Sequence, residues 1–201
     1  MAGPTQGFRL VAVGVSAGGL GALRTLVSGL PAGFDIPVVV VQHRSRDSEL
    51  LCDLLQECSH LEVTEASDKE SVLPGRVYVA APDYHLLVEP GYFSLSTDEP
   101  VLFSRPSIDV MFSSAADSYG VDAIGIVLTG ANSDGARGLR KIVDRGGHAI
   151  VQDPATAEVK LMPQAALKAV PEACVLRMEE IAPHLAGIRG RRMPPCHKGA
   201  A

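Results

Sequence analysis

Residues 8–19 read FRLVAVGVSAGG, and this stretch decides the fold. Its first part, from Phe8 to Val15, is almost continuously apolar, which is typical of a parallel strand buried on both faces. A run of leucines at helical spacing begins at Leu20, directly after the two glycines. The stretch therefore predicts a buried strand, a tight turn around Ser16 and a helix.

Apolar strands and amphipathic helices alternate through the rest of the chain. The predicted strands cover residues 8–15, 37–41, 61–65, 76–80, 85–89, 92–96, 123–128, 148–152 and 173–176. Helices are predicted after the first two strands and over residues 107–119, 136–144 and 163–170. This order predicts an α/β fold: a doubly wound, mainly parallel sheet with helices on both faces and an antiparallel hairpin insertion. We expect one domain over residues 1–188 and a disordered tail over residues 189–201.

Composition narrows the classes of function. The chain of 201 residues is 46% apolar and has a net charge of −5, which gives no indication of nucleic-acid binding. No apolar run approaches the roughly 20 residues of a membrane span, and no signal-peptide pattern opens the sequence, so we expect a cytoplasmic protein without membrane insertion. The four cysteines have spacings unlike those of zinc sites or of a dense disulfide framework, so we expect no metal.

Three predicted strands run directly into polar residues at their carboxyl ends. Ser16 follows the first strand, and His43 ends the stretch VVVVQH. The strand in IGIVLTG leads into a loop that contains Asp134. Ligands of open α/β sheets bind beyond the carboxyl ends of the strands, so we expect these three side chains to share one site.

Ser16 lies in the sequence GVSAG, which matches the G-x-S-x-G pattern of a serine nucleophile between a strand and a helix. In that interpretation the turn exposes the hydroxyl group, and the amide of Ala17, with Gly18 beside it, stabilises an oxyanion. Two other interpretations stay open: a glycine-rich phosphate loop and a purely structural turn. Neither the G-x-G-x-x-G fingerprint nor the Lys-Ser/Thr pair of a P-loop fits this stretch.

His43, Asp134 and His85 each have two interpretations. His43 either ends a strand without a chemical role or is the general base for Ser16, because imidazole titrates near neutral pH. Asp134 is the N-cap of the helix after its loop, or the carboxylate that orients the histidine, and the two roles are compatible. His85, a lone histidine at the start of a predicted strand, is expected at the surface rather than in the cleft.

Further blocks of sequence carry a resemblance to a known family. The blocks are GVSAGG (14–19), VQH (41–43), LPGRVYVA (73–80), RPSIDVMF (105–112), VLTG (127–130), DGA (134–136) and MP (162–163). In this order they resemble the catalytic domain of the bacterial chemoreceptor protein-glutamate methylesterases of the CheB type, over about residues 8–186. Several separated blocks in the correct order are far more specific than a single G-x-S-x-G.

The resemblance implies a catalytic triad of Ser16, His43 and Asp134, with no metal and no organic cofactor. It implies hydrolysis of glutamate γ-methyl esters on the cytoplasmic region of a methyl-accepting chemoreceptor or a related methylated protein, with release of methanol. Many members also deamidate glutamines there, and both reactions are acyl transfers at a γ-carbonyl group. We expect Arg105 and Met162 to contact the substrate.

The chain also departs from the family pattern. Ala131 stands beside the expected site where relatives usually have methionine, and Ala17 replaces a common serine or threonine. The segment from Arg44 to Ser48 replaces a Met-Pro sequence after the histidine, so we expect changed substrate access. Most relatives have an N-terminal receiver domain, whereas the first catalytic strand here begins by Phe8. We therefore expect a catalytic domain alone, with a separate response-regulator domain as a candidate partner.

Two alternative functions stay open on the sequence. One is a general small-ester hydrolase that uses the same triad. The other is a catalytically weak binding module in a chemosensory-like assembly, which the departures at Ala131 and after His43 favour. Labelling by a serine-directed probe distinguishes the binding module from either enzyme.

Overall fold

The computed structural model describes residues 9–43 and 50–188. The strands in this part are β1 (Leu10–Val15), β2 (Val38–Gln42), β3 (Glu62–Glu65), β4 (Arg76–Val79), β5 (His85–Glu89), β6 (Tyr92–Ser96), β7 (Ala123–Val127), β8 (His148–Gln152) and β9 (Cys174–Leu176). The helices are α1 (Gly19–Gly29), α2 (Leu51–Gln56), α3 (Ile108–Tyr119), α4 (Ala136–Asp144), α5 (Leu161–Ala169) and α6 (Met178–Ala186), with a 3₁₀ turn over Gly120–Asp122. None of these helices has the length and hydropathy to cross a membrane.

The predicted parallel sheet is confirmed. Seven strands pair in the order β3-β4-β2-β1-β7-β8-β9, and every pair in it is parallel. The predicted hairpin is also confirmed, but β5 and β6 form a separate two-stranded antiparallel sheet and do not extend the main sheet. The hairpin lies on α3: Ser114 Oγ accepts a 2.9 Å hydrogen bond from the Val88 amide, and Ser118 Oγ donates to the Val88 carbonyl at 2.8 Å.

The central strand β1 supplies apolar side chains to two cores, because successive residues of a strand point to opposite faces. Val11, Val13 and Val15 pack with buried residues of α1, α2 and α6. Leu10 and Ala12 pack with buried residues of α3, α4 and α5 on the other face. This two-sided burial is the physical reason that the strand reads as a continuous apolar run.

One described helix was not predicted. Helix α6 contains Pro183, which lacks the amide hydrogen of a helix interior and reads in the sequence as a stop signal. The helix packs against α1, where Ala182 closely approaches the backbone of Gly29. Tertiary packing thus holds a helix that local propensity does not favour. The predicted tail at 189–201 and the segment Arg44–Ser48 lie outside the described residues.

The sheet topology positions the site. The chain leaves β1 for β2 on one side and returns to β7 on the other side of β1. Such a reversal of strand order is a topological switch point, where ligands bind at the carboxyl ends of the strands. Ser16 and His43 directly follow β1 and β2, and Asp134 lies in the loop after β7.

Candidate active site

Ser16 lies in a turn that depends on a glycine on each side, and its side chain is partly exposed. Gly14 leaves room for Ile108, whose side chain would collide with a β-carbon at position 14. Gly18 has a φ of 74° and precedes α1, and a β-carbon there would lie 2.7 Å from the Glu158 side chain. The glycines of the G-x-S-x-G pattern therefore serve the packing of α3 against β1 as well as the turn itself.

His43 is the neighbour of Ser16 across the sheet. Strands β1 and β2 pair in a register that places Val15 opposite Gln42. Ser16 directly follows β1 and His43 directly follows β2, so the two residues leave the sheet at neighbouring positions. The His43 amide donates a 3.1 Å hydrogen bond to the Val15 carbonyl, which fixes the backbone at this point. The imidazole is 12% exposed, so solvent and ligands reach a small part of it.

Asp134 is completely buried and is surrounded by donors. Oxygen Oδ2 accepts from His43 Nε2 at 2.8 Å and from the Ile108 amide at 2.7 Å, and Oδ1 accepts from Ser107 Oγ at 2.9 Å and from the amides of Asp109 and Gly135 at 3.0 Å. Two of these amides belong to the first turn of α3 and have no acceptor within their own helix. The positive end of that helix therefore stabilises the carboxylate.

These contacts decide the charge of Asp134. Burial raises the pKa of Asp134, but the hydrogen bonds from His43, from the Asp109 and Ile108 amides and from Ser107 outweigh it, so the pKa is lowered overall. The carboxylate is ionised at neutral pH and has no proton to donate. His43 Nε2 must therefore carry the hydrogen, which leaves the lone pair of the neutral ring on Nδ1.

Asn132 contacts that second ring nitrogen. Its Oδ1 accepts a 3.1 Å hydrogen bond from the Asp134 amide, which sets the orientation of the carboxamide. Its Nδ2 then lies 3.4 Å from His43 Nδ1, a long contact for a hydrogen bond. No motif in the sequence indicates a role for Asn132, because the contact depends on the folded conformation of the loop that also holds Asp134.

Thr129 ties the serine turn to the rest of the sheet. Its carbonyl accepts from the Ser16 amide at 2.9 Å, and its Oγ1 donates to the Ala17 carbonyl at 2.8 Å. Its own amide donates to Oε1 of Gln152 at 2.9 Å. Thr129 and Gln152 are both buried, so the turn is held from below by satisfied polar groups.

Two predictions about single residues are wrong. Asp134 is not the N-cap of α4, a position held by Gly135 with a φ of 93°; its carboxylate instead caps the first turn of α3, which brings a distant helix to the site. His85 is not at the surface but is 2% exposed. Its Nδ1 accepts from the Ser107 amide at 3.1 Å, and its Nε2 lies 3.1 Å from the Glu99 carbonyl.

The two residues that we expected to contact the substrate, Met162 and Arg105, make contacts within the protein. Met162 is 1% exposed and packs against Gly130, so its predicted contact with substrate is wrong and its role is in the core. Arg105 directs Nη1 at the carbonyls of Thr97 and Asp98, at 2.8 and 3.2 Å, and anchors its own segment.

The other predicted residues lie around the serine turn and the loop after β7. Ala17 is partly exposed in the turn, and Ala131 is exposed on the loop. In the described part of the chain, no three histidine, cysteine or acidic side chains gather as a metal site would require. Cys52 and Cys58 are partly buried and pack against the apolar core.

Comparisons with known proteins identify the family. Residues 11–185 match the family model of the CheB methylesterase. A putative protein-glutamate methylesterase/protein-glutamine glutaminase of Leptospira interrogans is 48% identical over 177 residues, which cover 87% of this chain and 92% of that protein. A protein-glutamate methylesterase/protein-glutamine glutaminase of Carboxydothermus hydrogenoformans is 40% identical over 90% of this chain but only 55% of its own length.

A solved structure has the same fold. The crystal structure of the Thermotoga maritima CheB methylesterase catalytic domain superposes with a TM-score of 0.86 and 34% sequence identity, over 89% of this chain and 97% of that domain. The chain thus spans nearly all of the catalytic domain and of the Leptospira relative. It spans about half the length of other relatives such as the Carboxydothermus protein.

Proposed function

The chain belongs to the CheB methylesterase family, and from that premise we propose that it hydrolyses glutamate γ-methyl esters on the cytoplasmic region of a chemoreceptor and releases methanol. Deamidation of glutamines is the second reaction, because an amide at the same γ-carbonyl presents the same geometry to the nucleophile. The enzyme acts in the cytoplasm, where such a receptor exposes its modified side chains. The observation that supports this proposal most directly is the pairing of His43 with the buried Asp134 at the strand end beside Ser16.

Ser16 is the proposed nucleophile and His43 the general base. Nδ1 of His43 takes the hydroxyl proton as Ser16 Oγ attacks the ester carbonyl, and the amide of Ala17 stabilises the resulting oxyanion. The imidazolium then returns the proton to the departing methoxide, which leaves as methanol. Water attacks the acyl-enzyme with the same base, and the products are free Ser16 and a glutamate side chain. With a glutamine substrate the leaving group is ammonia.

Asp134 has the role of orienting His43 and stabilising its charged form. Its bond to Nε2 leaves Nδ1 as the ring nitrogen available to act as the base for Ser16, the opposite use of the two ring nitrogens from that of the chymotrypsin-type triad. Because the pKa of Asp134 is lowered, the carboxylate stays ionised while the imidazolium exists. The proton therefore moves between Ser16, His43 and the leaving group and does not pass to Asp134.

Methanol release from a methylated receptor cytoplasmic fragment tests the proposal. Wild-type protein should release methanol, and Ser16→Ala should lose about 10⁴-fold or more in kcat, as expected when a triad nucleophile is removed. The matched control is Ser28→Ala, an exposed serine at the far end of α1, which should keep wild-type activity.

A fluorophosphonate probe separates the alternatives. Labelling of the wild type but not of Ser16→Ala, together with methanol release, supports the methylesterase. Labelling without methanol release indicates a general esterase. Equal labelling of both proteins contradicts the assignment of Ser16 as the nucleophile, and labelling of neither indicates a binding module.

A further inference from the structure

Phe103 is the most exposed large apolar side chain in the described part of the chain, with a relative exposure of 103%, and its neighbour Leu102 is 47% exposed. We call these two residues the apolar tip. They occupy the centre of a turn closed by two hydrogen bonds between Val101 and Ser104, at 3.1 and 2.9 Å. Among residues 9–43 and 50–188, no side chain packs over the Phe103 ring.

The backbone of the apolar tip is unfavourable for its residues. Leu102 and Phe103 have φ values of 48° and 62°, in the left-handed region that bulky side chains rarely adopt. A two-residue turn with two positive φ angles normally has Asn-Gly at its centre. The chain therefore holds two large apolar side chains in water at a position where folding favours small polar residues. Such a departure from local preference is typical of a functional site.

The apolar tip is close in sequence to a residue of the candidate active site. Ser107, whose hydroxyl donates to Asp134, follows Phe103 by four residues, so their Cα atoms lie within about 14 Å of each other. The base of the turn is fixed on both sides. Arg105 is bonded to the carbonyls of Thr97 and Asp98, and His85 contacts the carbonyl of Glu99.

The reaction gives the apolar tip a use. A γ-methyl ester is a small group, so binding energy must come from parts of the substrate away from the reacting bond. We propose that Leu102 and Phe103 form a docking contact for the protein substrate, and that they insert into an apolar surface depression beside the esterified side chain. This inference rests on the proposed function, and it makes the tip a determinant of specificity for proteins over small esters.

A transient substrate fits this surface better than a second copy of the chain does. Two side chains bury far less than the roughly 1,200–2,000 Å² of a stable protein interface. They suit a contact that must form and separate at each turnover. Aromatic side chains, phenylalanine among them, are also enriched in the buried core of protein interfaces.

The double variant Leu102→Asn/Phe103→Gly tests the proposal without disturbing the turn, since Asn-Gly is the preferred sequence for this backbone. We expect kcat/KM for the methylated receptor fragment to fall by about tenfold or more, mainly through KM, because burial of a phenylalanine ring is lost. Hydrolysis of p-nitrophenyl acetate should stay within about twofold of wild type, and the melting temperature should be equal or higher. Leu73→Ser, an exposed leucine that precedes β4 at the amino end of the parallel strands, opposite the end where Ser16 and His43 lie, should change neither reaction.

Three results would overturn the inference. They are an unchanged kcat/KM for the receptor fragment, an equal loss on both substrates, and sedimentation that shows a dimer in the wild type and a monomer in the double variant. If the wild type releases no methanol at all, the proposed function fails separately. Fluorescence anisotropy with the labelled fragment then decides: a weaker Kd in the double variant supports docking, and an equal Kd refutes it.

Discussion

Asp134 and Ser16, which we call the acidic end and the serine end of the candidate site, are held in place by different contacts. Asp134 is fully buried and takes hydrogen bonds from a histidine, a hydroxyl group and three backbone amides. Ser16 is partly exposed, and hydrogen bonds hold its backbone to Thr129 and Gly19. One end has the contacts of a protein core, and the other has those of a surface turn.

Because of this difference, substitutions at the two ends should affect stability and activity differently. A buried carboxylate with complete hydrogen bonding contributes to the folded state, and its removal leaves donors unsatisfied. A serine held through its backbone can lose its hydroxyl group without disturbing the neighbours that position it. We therefore expect substitutions at the acidic end to affect both activity and folding, and substitutions of the serine hydroxyl to affect activity alone.

Asp134→Asn should give the largest combined effect. The amide cannot serve all the donors that the carboxylate serves, and it no longer stabilises the imidazolium. We expect kcat to fall by about 10³–10⁴-fold and the free energy of unfolding to fall by about 2–3 kcal/mol. Steady-state kinetics and urea unfolding measure the two effects. A variant with normal stability, or with less than a tenfold loss in kcat, would contradict the comparison.

Acid should lower the free energy of unfolding of the wild type more than that of the Asp134→Asn variant. Because folding lowers the pKa of Asp134 below its ordinary value of 3.8, its contribution is complete above that value and is lost as the pH falls through the folded-state pKa. From about pH 4 down through the folded-state pKa, the unfolding free energy of the wild type should therefore fall more steeply, and the gap to the variant should narrow. Parallel curves over this range would show that Asp134 is not the stabilising carboxylate.

Much of this arrangement could be predicted from the sequence. The apolar strand before GVSAGG and the VVVVQH stretch predicted neighbouring strand ends for Ser16 and His43, because continuous apolar runs indicate parallel strands. The bounds of the hairpin strands β5 and β6 and of α4 agree with the structure residue for residue. Local pattern was sufficient wherever turn residues and periodicity indicated the same element.

The donors around Asp134 could not be predicted. Ile108 and Asp109 precede it by some 25 residues, and their amides reach the carboxylate only because Gly14 and Gly135 leave space for the Ile108 side chain. The burial of His85 could not be predicted for the same reason. Its burial follows from a contact with Ser107 on another element, and no local pattern reports such a contact.

Gly14→Ala should disturb the hydrogen bonds of Asp134 indirectly, through Ile108. A β-carbon at this position collides with Ile108, which must move and carry the first turn of α3 away from Asp134. We expect a loss of about 1–3 kcal/mol in stability and of about 10–100-fold in kcat, as a small misplacement of a catalytic group can cause. Crystallography and kinetics would follow both effects.

Gly21→Ala is the matched control for Gly14→Ala. Its β-carbon meets no atom within 4 Å, on an exposed part of α1. Alanine there should raise stability by up to about 1 kcal/mol and leave kcat unchanged. If both glycine variants lose activity equally, the loss reflects a general sensitivity to added methyl groups, and the role of Ile108 is contradicted.

Asn132→Ala should have the smallest effect on kcat of these catalytic-site variants. Such a result would show that the contact of Asn132 with His43 contributes little to the acidic end. Asn132 is partly exposed, and its contacts at 3.1 and 3.4 Å are neutral hydrogen bonds of modest worth. We expect kcat to change by less than about fivefold, because ring orientation depends on the charge-assisted bond to Asp134 and not on this long contact. A loss of about 100-fold with normal stability would place Asn132 among the residues that touch reacting atoms. The orienting role would then be shared between both ring nitrogens of His43 and would no longer belong to the buried end alone.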